Sequence, residues 1–90
     1  MKRLHVFVSG RVQGVSYRYY TTLEAGKYQI SGWVRNLNDG RVEILAEGLQ
    51  EDLQQLLDWT YVGSPAAEVT NVDYKWLDSQ NEFSDFTVTG

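Results

Sequence analysis

Ser9-Gly10-Arg11-Val12-Gln13-Gly14-Val15-Ser16-Tyr17-Arg18 joins two patterns of different period. Before it, Leu4, Val6 and Val8 alternate with His5 and Phe7, the period of a strand with one face on a core. After it, Tyr17, Thr21, Ala25 and Tyr28 fall at helical spacing, which predicts a helix over residues 17–28 facing a sheet. The stretch is therefore a strand-to-helix loop with two glycines. Glycine reaches backbone angles that other residues avoid, so successive N–H groups can turn toward one point. Such a turn makes an anion-binding concavity, and a helix N-terminus adds positive potential to it. Arg18 falls in the first helical turn, where a cation opposes the helix dipole at a cost of about 0.3–1 kcal/mol. A negative ligand between loop and Arg18 reverses that cost, so the stretch reads as a phosphate or carboxylate cradle. A plain tight turn is the competing reading. A Walker loop is excluded, because three residues separate Gly10 from Gly14 and Val15 stands where its Lys would be. The dinucleotide fingerprint is absent as well.

Outward from the loop, Ile30 to Asn36 reads as a second strand and Asn38-Asp39-Gly40 as a hairpin turn. Arg41 to Glu47 alternates, with Val42, Ile44 and Ala46 on one face, giving a third strand. Leu49, Leu53, Leu56, Leu57 and Thr60 mark an amphipathic second helix with Glu51 and Asp52 in its first turn and Gly63 and Pro65 closing it. Val69 to Leu77 alternates again through Val72, Tyr74 and Trp76, and Phe83, Phe86 and Val88 make a short last strand. Helix 17–28 is weak locally, with Thr21, Thr22 and Gly26 in it, and depends on packing. Of Tyr17, Tyr19 and Tyr20, two are expected to face the sheet or its edge.

The order β-α-β-β-α-β plus a short extra C-terminal strand predicts an α+β fold. It is the ferredoxin-like split βαβ sandwich, an antiparallel sheet with two helices on one face. Right-handed crossovers make the first two strands parallel with the third inserted between them. The C-terminal ends of both strands then lie at one sheet edge, which brings the loop and Arg18 near Asn36.

Ninety residues make one domain, 1–90, with a modest core. No apolar run approaches the ~18 residues that span a bilayer, and no export signal opens the chain. There is no Cys, which removes disulfides, thiolate metal sites and Cys nucleophiles. These features point to a cytoplasmic protein with no membrane partner. The net charge of −4 argues against a nucleic-acid partner. The charge is uneven. Residues 1–41 hold seven Lys or Arg against two acids, a net of +5, and residues 42–90 hold one Lys against ten acids, a net of −9. A cationic site in an acidic protein suits small anions and repels polyanions. Most of the acids are expected on solvated faces. His5, the one His, has no partner in a recognisable motif and reads as an exposed or satisfied strand residue.

Gly10-Arg11-Val12-Gln13-Gly14-Val15-Ser16-Tyr17-Arg18 closely resembles the first signature of the acylphosphatase family. Gly32-Trp33-Val34-Arg35-Asn36, then Gly40-Arg41-Val42 and Gly48, resembles the second. The resemblance covers essentially the whole chain, including Gly63-Ser64-Pro65 and Ala67. Two departures stand out. Tyr17 replaces the usual Phe or Met and brings a hydroxyl that needs a partner. Gln29 stands where the family often has Gly, removing an easy left-handed cap after the first helix.

The resemblance implies hydrolysis of the carboxyl-phosphate bond of an acyl phosphate to a carboxylate and inorganic phosphate. Arg18 would bind the phosphate and Asn36 would position water. The backbone N–H groups of Arg11, Val12, Gln13, Gly14, Val15, Ser16, Tyr17 and Arg18 would hold phosphate oxygens. No metal and no organic cofactor are implied. The partners expected are a small-molecule acyl phosphate, with inorganic phosphate as product and inhibitor, and the chain is expected to be a monomer. Phosphoryl transfer asks mainly for positioning and charge stabilisation, and a carboxylate is already a good leaving group, so a sparse site suffices.

Three other readings compete. A non-catalytic anion-binding or regulatory module could share the fold, but would have no use for an Asn on water. A piece of a larger carbamoyl-transfer machine would bring further domains, and none is expected beyond Gly90. An RNA-binding sheet would want exposed aromatics and a basic face. His5, Phe7, Arg41, Glu43 and Leu45 on the open face make a poor stacking platform.

Overall fold

In the computed structural model, which describes residues 1–90, the alternation at Leu4, Val6 and Val8 lies inside a longer strand, β1 (Lys2–Arg11). The chain continues through α1 (Tyr17–Gly26), β2 (Ser31–Asn36), β3 (Val42–Gly48), α2 (Gln50–Thr60), β4 (Glu68–Asp78) and β5 (Phe86–Val88). The sheet order is β4-β1-β3-β2-β5. β3 is antiparallel to both β1 and β2, so those two run parallel with β3 between them. This is the ferredoxin-like α+β sandwich the element order predicts. The short β5 extends it by pairing parallel with β2, Gly32 opposite Phe86 and Val34 opposite Val88.

One face of the sheet carries the core. Leu4, Val6, Val8, Val34, Val42, Ile44 and Ala46 are buried on it beneath Tyr17, Thr21 and Ala25 of α1 and Leu53, Leu56 and Leu57 of α2. Full burial of each large aliphatic side chain stabilises by roughly 1.5–3 kcal/mol. The two helices are also joined by a polar link. The buried Tyr17 hydroxyl donates to the Thr60 carbonyl at 2.8 Å, which supplies the partner this unusual Tyr requires. Burial pushes the Tyr17 phenol well above its ordinary pKa, so it stays a donor.

Several elements differ from the expectation, each for a local reason. α1 stops at Gly26, two residues early, and closes through tight bonds from Lys27 N–H to Glu24 and from Tyr28 N–H to Ala25. Gln29 takes no left-handed angle, so the missing glycine cap is bypassed. Leu49 precedes α2 in extended conformation and is exposed, off the apolar stripe it was assigned to. Tyr74 also points to solvent, because β4 is an edge strand that the helices only partly cover. Phe83 lies outside the last strand, with the Arg3 guanidinium 5.6 Å from its ring centre.

Most of the acids are solvated as expected, and the open face holds two exceptions. Glu43 and Glu47 are buried there rather than solvated. Glu43 accepts from His5 Nε2 at 2.6 Å and Arg35 Nε at 2.7 Å, which makes His5 a satisfied strand residue. Glu47 accepts from Arg3 Nε at 2.9 Å and from the Gln80 N–H at 2.7 Å. Burial pushes both carboxyls up, and these charge-assisted bonds outweigh it and hold both below the usual range. Glu47 thereby anchors the segment that leads into β5.

Candidate active site

The loop after β1 is shaped by two kinds of glycine. Gly10 (φ 119°) sits where the β1–β4 register shifts, and a Cβ there would lie 2.2 Å from the Glu68 carbonyl oxygen. Its role is close packing of two strands. Gly14 (φ 74°) has open space around it and lies on the cleft. Ser16 also takes a left-handed angle, φ 63°, while Val15 between them does not. A left-handed residue with a Cβ costs about 1–2 kcal/mol. Alternation of left-handed and right-handed residues is the backbone pattern by which an anion-binding nest turns neighbouring N–H groups to one side.

The donors of this loop are free. From Gln13 to Tyr19 no backbone N–H donates to a carbonyl or side chain of the protein. Ser16 caps α1 without a side-chain hydrogen bond, and no acid stands in the first turn. The positive end of the helix is therefore uncompensated, with Arg18 added to it. Gln13 holds the loop in place. Its Nε2 donates to the Leu37 carbonyl at 2.7 Å and the Arg41 carbonyl at 3.0 Å, tying the loop to the β2–β3 hairpin. The hairpin is closed by Asp39, which accepts from the Arg41 N–H at 3.1 Å and its Nε at 2.9 Å.

A cleft of about 420 Å³ opens above the loop. Val12, Gly14, Ser16, Tyr17, Arg18 and Asn36 line it. Arg11, Gln13 and Val15 do not. Arg11 is an exposed β1 residue paired with Glu68, and Gln13 spends its side chain on the hairpin. Asn36 ends β2 and lines the cleft, and its Oδ1 is buried without a hydrogen-bond partner. A buried acceptor left open in this way loses free energy, of order 1–3 kcal/mol. No group of three or more His, Asp or Glu side chains converges anywhere in the fold.

Some of the lining was not foreseen. Tyr19, Thr22 and Val88 complete the cleft. Tyr19 and Tyr20 are exposed, so only Tyr17 of the three tyrosines packs on the sheet. Arg18 Nη1 donates to the Gly90 carbonyl oxygen, which also accepts from the Asn36 N–H at 3.2 Å. The last residues thus bridge the two candidate catalytic groups. Nothing in Val88-Thr89-Gly90 signals this, because it depends on β5 joining β2 in parallel.

Comparison with known proteins agrees with this architecture. The acylphosphatase family model matches residues 4–88. An acylphosphatase of Methylococcus capsulatus is 49% identical over 88 residues, 98% of this chain and 96% of that one. One of Chloroflexus aurantiacus is 48% identical over 86 residues, 96% and 94% of the two chains. The crystal structure of acylphosphatase from Bacillus subtilis superposes with a TM-score of 0.96 at 40% identity, over 100% of both chains. No helix here is long and apolar enough to cross a membrane. With the fold, the loop and full-length matches in agreement, the chain belongs to the acylphosphatase family and is an enzyme of that family.

Proposed function

We propose that the chain hydrolyses small-molecule acyl phosphates by transfer of the phosphoryl group to water, with Arg18 and Asn36 as the catalytic pair. The amides of the Gly14–Ser16 turn and the α1 N-terminus receive the phosphate oxygens, and the Arg18 guanidinium clamps them. Water bound at Asn36 attacks phosphorus. The bond from phosphorus to the acyl oxygen breaks, its electron pair leaves on the carboxylate, and a phosphate oxygen takes the proton from the water. The carboxylate leaves without protonation, so neither a general acid nor a general base is needed. Free amides and Arg18 act on charge that spreads over the phosphoryl oxygens in the transition state.

The observation that carries this reading is the Asn36 side chain, without a hydrogen-bond partner in the protein, on the same cleft as Arg18. An anion-binding module needs the loop and the Arg but gains nothing from a free amide held beside them. A water that accepts from Asn36 Nδ2 is fixed at the cleft. Steady-state hydrolysis of acetyl phosphate tests the reading. It should proceed in EDTA, with inorganic phosphate as a competitive inhibitor and the protein acting as a monomer. Tight phosphate binding without turnover would replace the hydrolase by the binding module.

A further inference from the structure

The two halves of the site part company at the end of the sheet. β1 follows β3 only as far as Val8, opposite Val42. Beyond a register shift at Ser9 and Gly10 it follows β4 alone and ends with Arg11 opposite Glu68. β2 stays with β3 to its last residue, Asn36, also opposite Val42. Past that point no backbone hydrogen bond joins the loop over residues 12–16 to the turn over residues 37–41. The bonds that do join them both come from Gln13, whose Nε2 donates to the Leu37 carbonyl at 2.7 Å and to the Arg41 carbonyl at 3.0 Å. The same two carbonyls close the turn. That of Arg41 accepts from the Leu37 N–H at 2.8 Å, and that of Leu37 from the Gly40 N–H at 3.2 Å. Gln13 directly precedes Gly14, and Leu37 directly follows Asn36. One side-chain amide therefore spans the glycine loop and the strand end that carries Asn36.

We propose that Gln13 is a positioning residue whose amide sets the separation between the glycine loop, which receives the phosphoryl group, and Asn36, which holds the attacking water. The inference rests on the hydrolase reading above and names the group that aligns its two halves. Gln13 lies off the lining of the cleft, so it acts through Asn36 and not on the substrate. Gly90 links Asn36 to the Arg18 side chain, whereas Gln13 is the link to the loop backbone. Both bonds need a donor at Nε2, because their partners are carbonyl oxygens. In-line attack depends on this separation, and a misplacement of about 1 Å can cost ~10²-fold in rate. Phosphate binding does not depend on it, since the loop amides and Arg18 meet the phosphate oxygens without reference to Asn36. Loss of the link therefore acts on kcat and spares affinity for phosphate.

The test is a double-mutant cycle on acetyl phosphate hydrolysis, with Gln13→Met and Asn36→Ala made singly and together. Met keeps the length of the side chain and removes both donors. Gln13→Met should lower kcat about 10- to 100-fold. The inhibition constant of inorganic phosphate should move by less than about threefold. With Asn36 removed nothing is left to align, so Gln13→Met should cost less than about twofold on top of Asn36→Ala. A residue that only supports the fold would cost the same in both backgrounds. If Gln13→Met does not fold, Gln13→Glu, which keeps the size and replaces the donor by an acceptor, takes its place with the same expected split. An unchanged kcat, a full further loss in the double variant, or phosphate inhibition weakened in step with kcat overturns the proposal while the hydrolase reading stands. Loss of the fold in both Gln13 variants overturns it too, since Gln13 is then a structural residue. If the parent protein does not cleave acetyl phosphate, the hydrolase reading itself fails.

Discussion

Asn36→Asp changes one atom of the side chain and separates the possible roles of this residue. The parent amide offers a donor and an acceptor, with Oδ1 buried and unpartnered. Aspartate keeps the shape, removes the donor and adds a negative charge beside the phosphate dianion that the proposed reaction places there. Two unit charges ~5 Å apart repel by roughly 3 kcal/mol at an effective dielectric of about 20. Arg18 offsets part of that. A net loss of about 2.7 kcal/mol corresponds to ~10²-fold in rate, which is the fall in kcat expected for acetyl phosphate. The fold should persist, because the Asn36 N–H keeps its bond to the Gly90 carbonyl and the β2–β3 pairing is untouched. A kinetic run and a melting curve on the same preparation decide. A variant with full kcat would refute the water-positioning role. It would return Asn36 to the part of a residue that leads into the Asn38-Asp39-Gly40 turn, which Asp fills almost as well.

Arg18→Lys should lose more than about 90% of kcat/KM, over ~1.4 kcal/mol, and weaken phosphate inhibition in parallel, because an ammonium cannot present a planar fork to two oxygens. Retention of a tenth or more of the activity would show the clamp misassigned. Gly14→Ala has room for its methyl group, so its penalty is the left-handed backbone alone, about 1–2 kcal/mol. Phosphate titration should show weaker binding with only a modest drop in melting temperature; intact affinity with a collapsed melting temperature would make Gly14 a purely structural turn. For acid stability, the folded pKa values of Glu43 and Glu47 lie below the unfolded value of about 4.5. Their contribution is complete above that pH and is lost as pH falls through the depressed folded values. Urea midpoints should therefore be level from pH 7 to 5 and fall below 4.5, and a midpoint that held in acid would refute the role of these two carboxylates.

The sandwich was legible because its decisive signals are local. Alternation at Leu4, Val6 and Val8, the helical spacing of Tyr17, Thr21 and Ala25, and the Asp39-Gly40 turn each report on neighbours in the chain. The meeting of Arg18 and Asn36 followed from topology, since two parallel strands must end at one sheet edge. Long-range pairing was not legible. Glu43 and Glu47 look like ordinary surface acids, and only the cross-strand register that sets Glu43 beside His5 and Arg35, and Glu47 beside Arg3, explains their burial. Which of the three tyrosines would pack on the sheet was not legible, because helical phase near an N-terminus does not say where the sheet ends; only Tyr17 is buried, and Tyr19 borders the cleft. The contribution of Gly90 depends on a three-residue strand that sequence periodicity cannot orient.

The central claim is that water attacks phosphorus in the cleft between the loop, Arg18 and Asn36. Hydrolysis of acetyl phosphate by the protein in oxygen-18 water, followed by mass spectrometry of both products, tests it directly. Attack at phosphorus puts the heavy oxygen in inorganic phosphate and leaves the acetate unlabelled. Label in the acetate would mean attack at the carbonyl carbon, and the arrangement derived for Arg18 and Asn36 would be wrong.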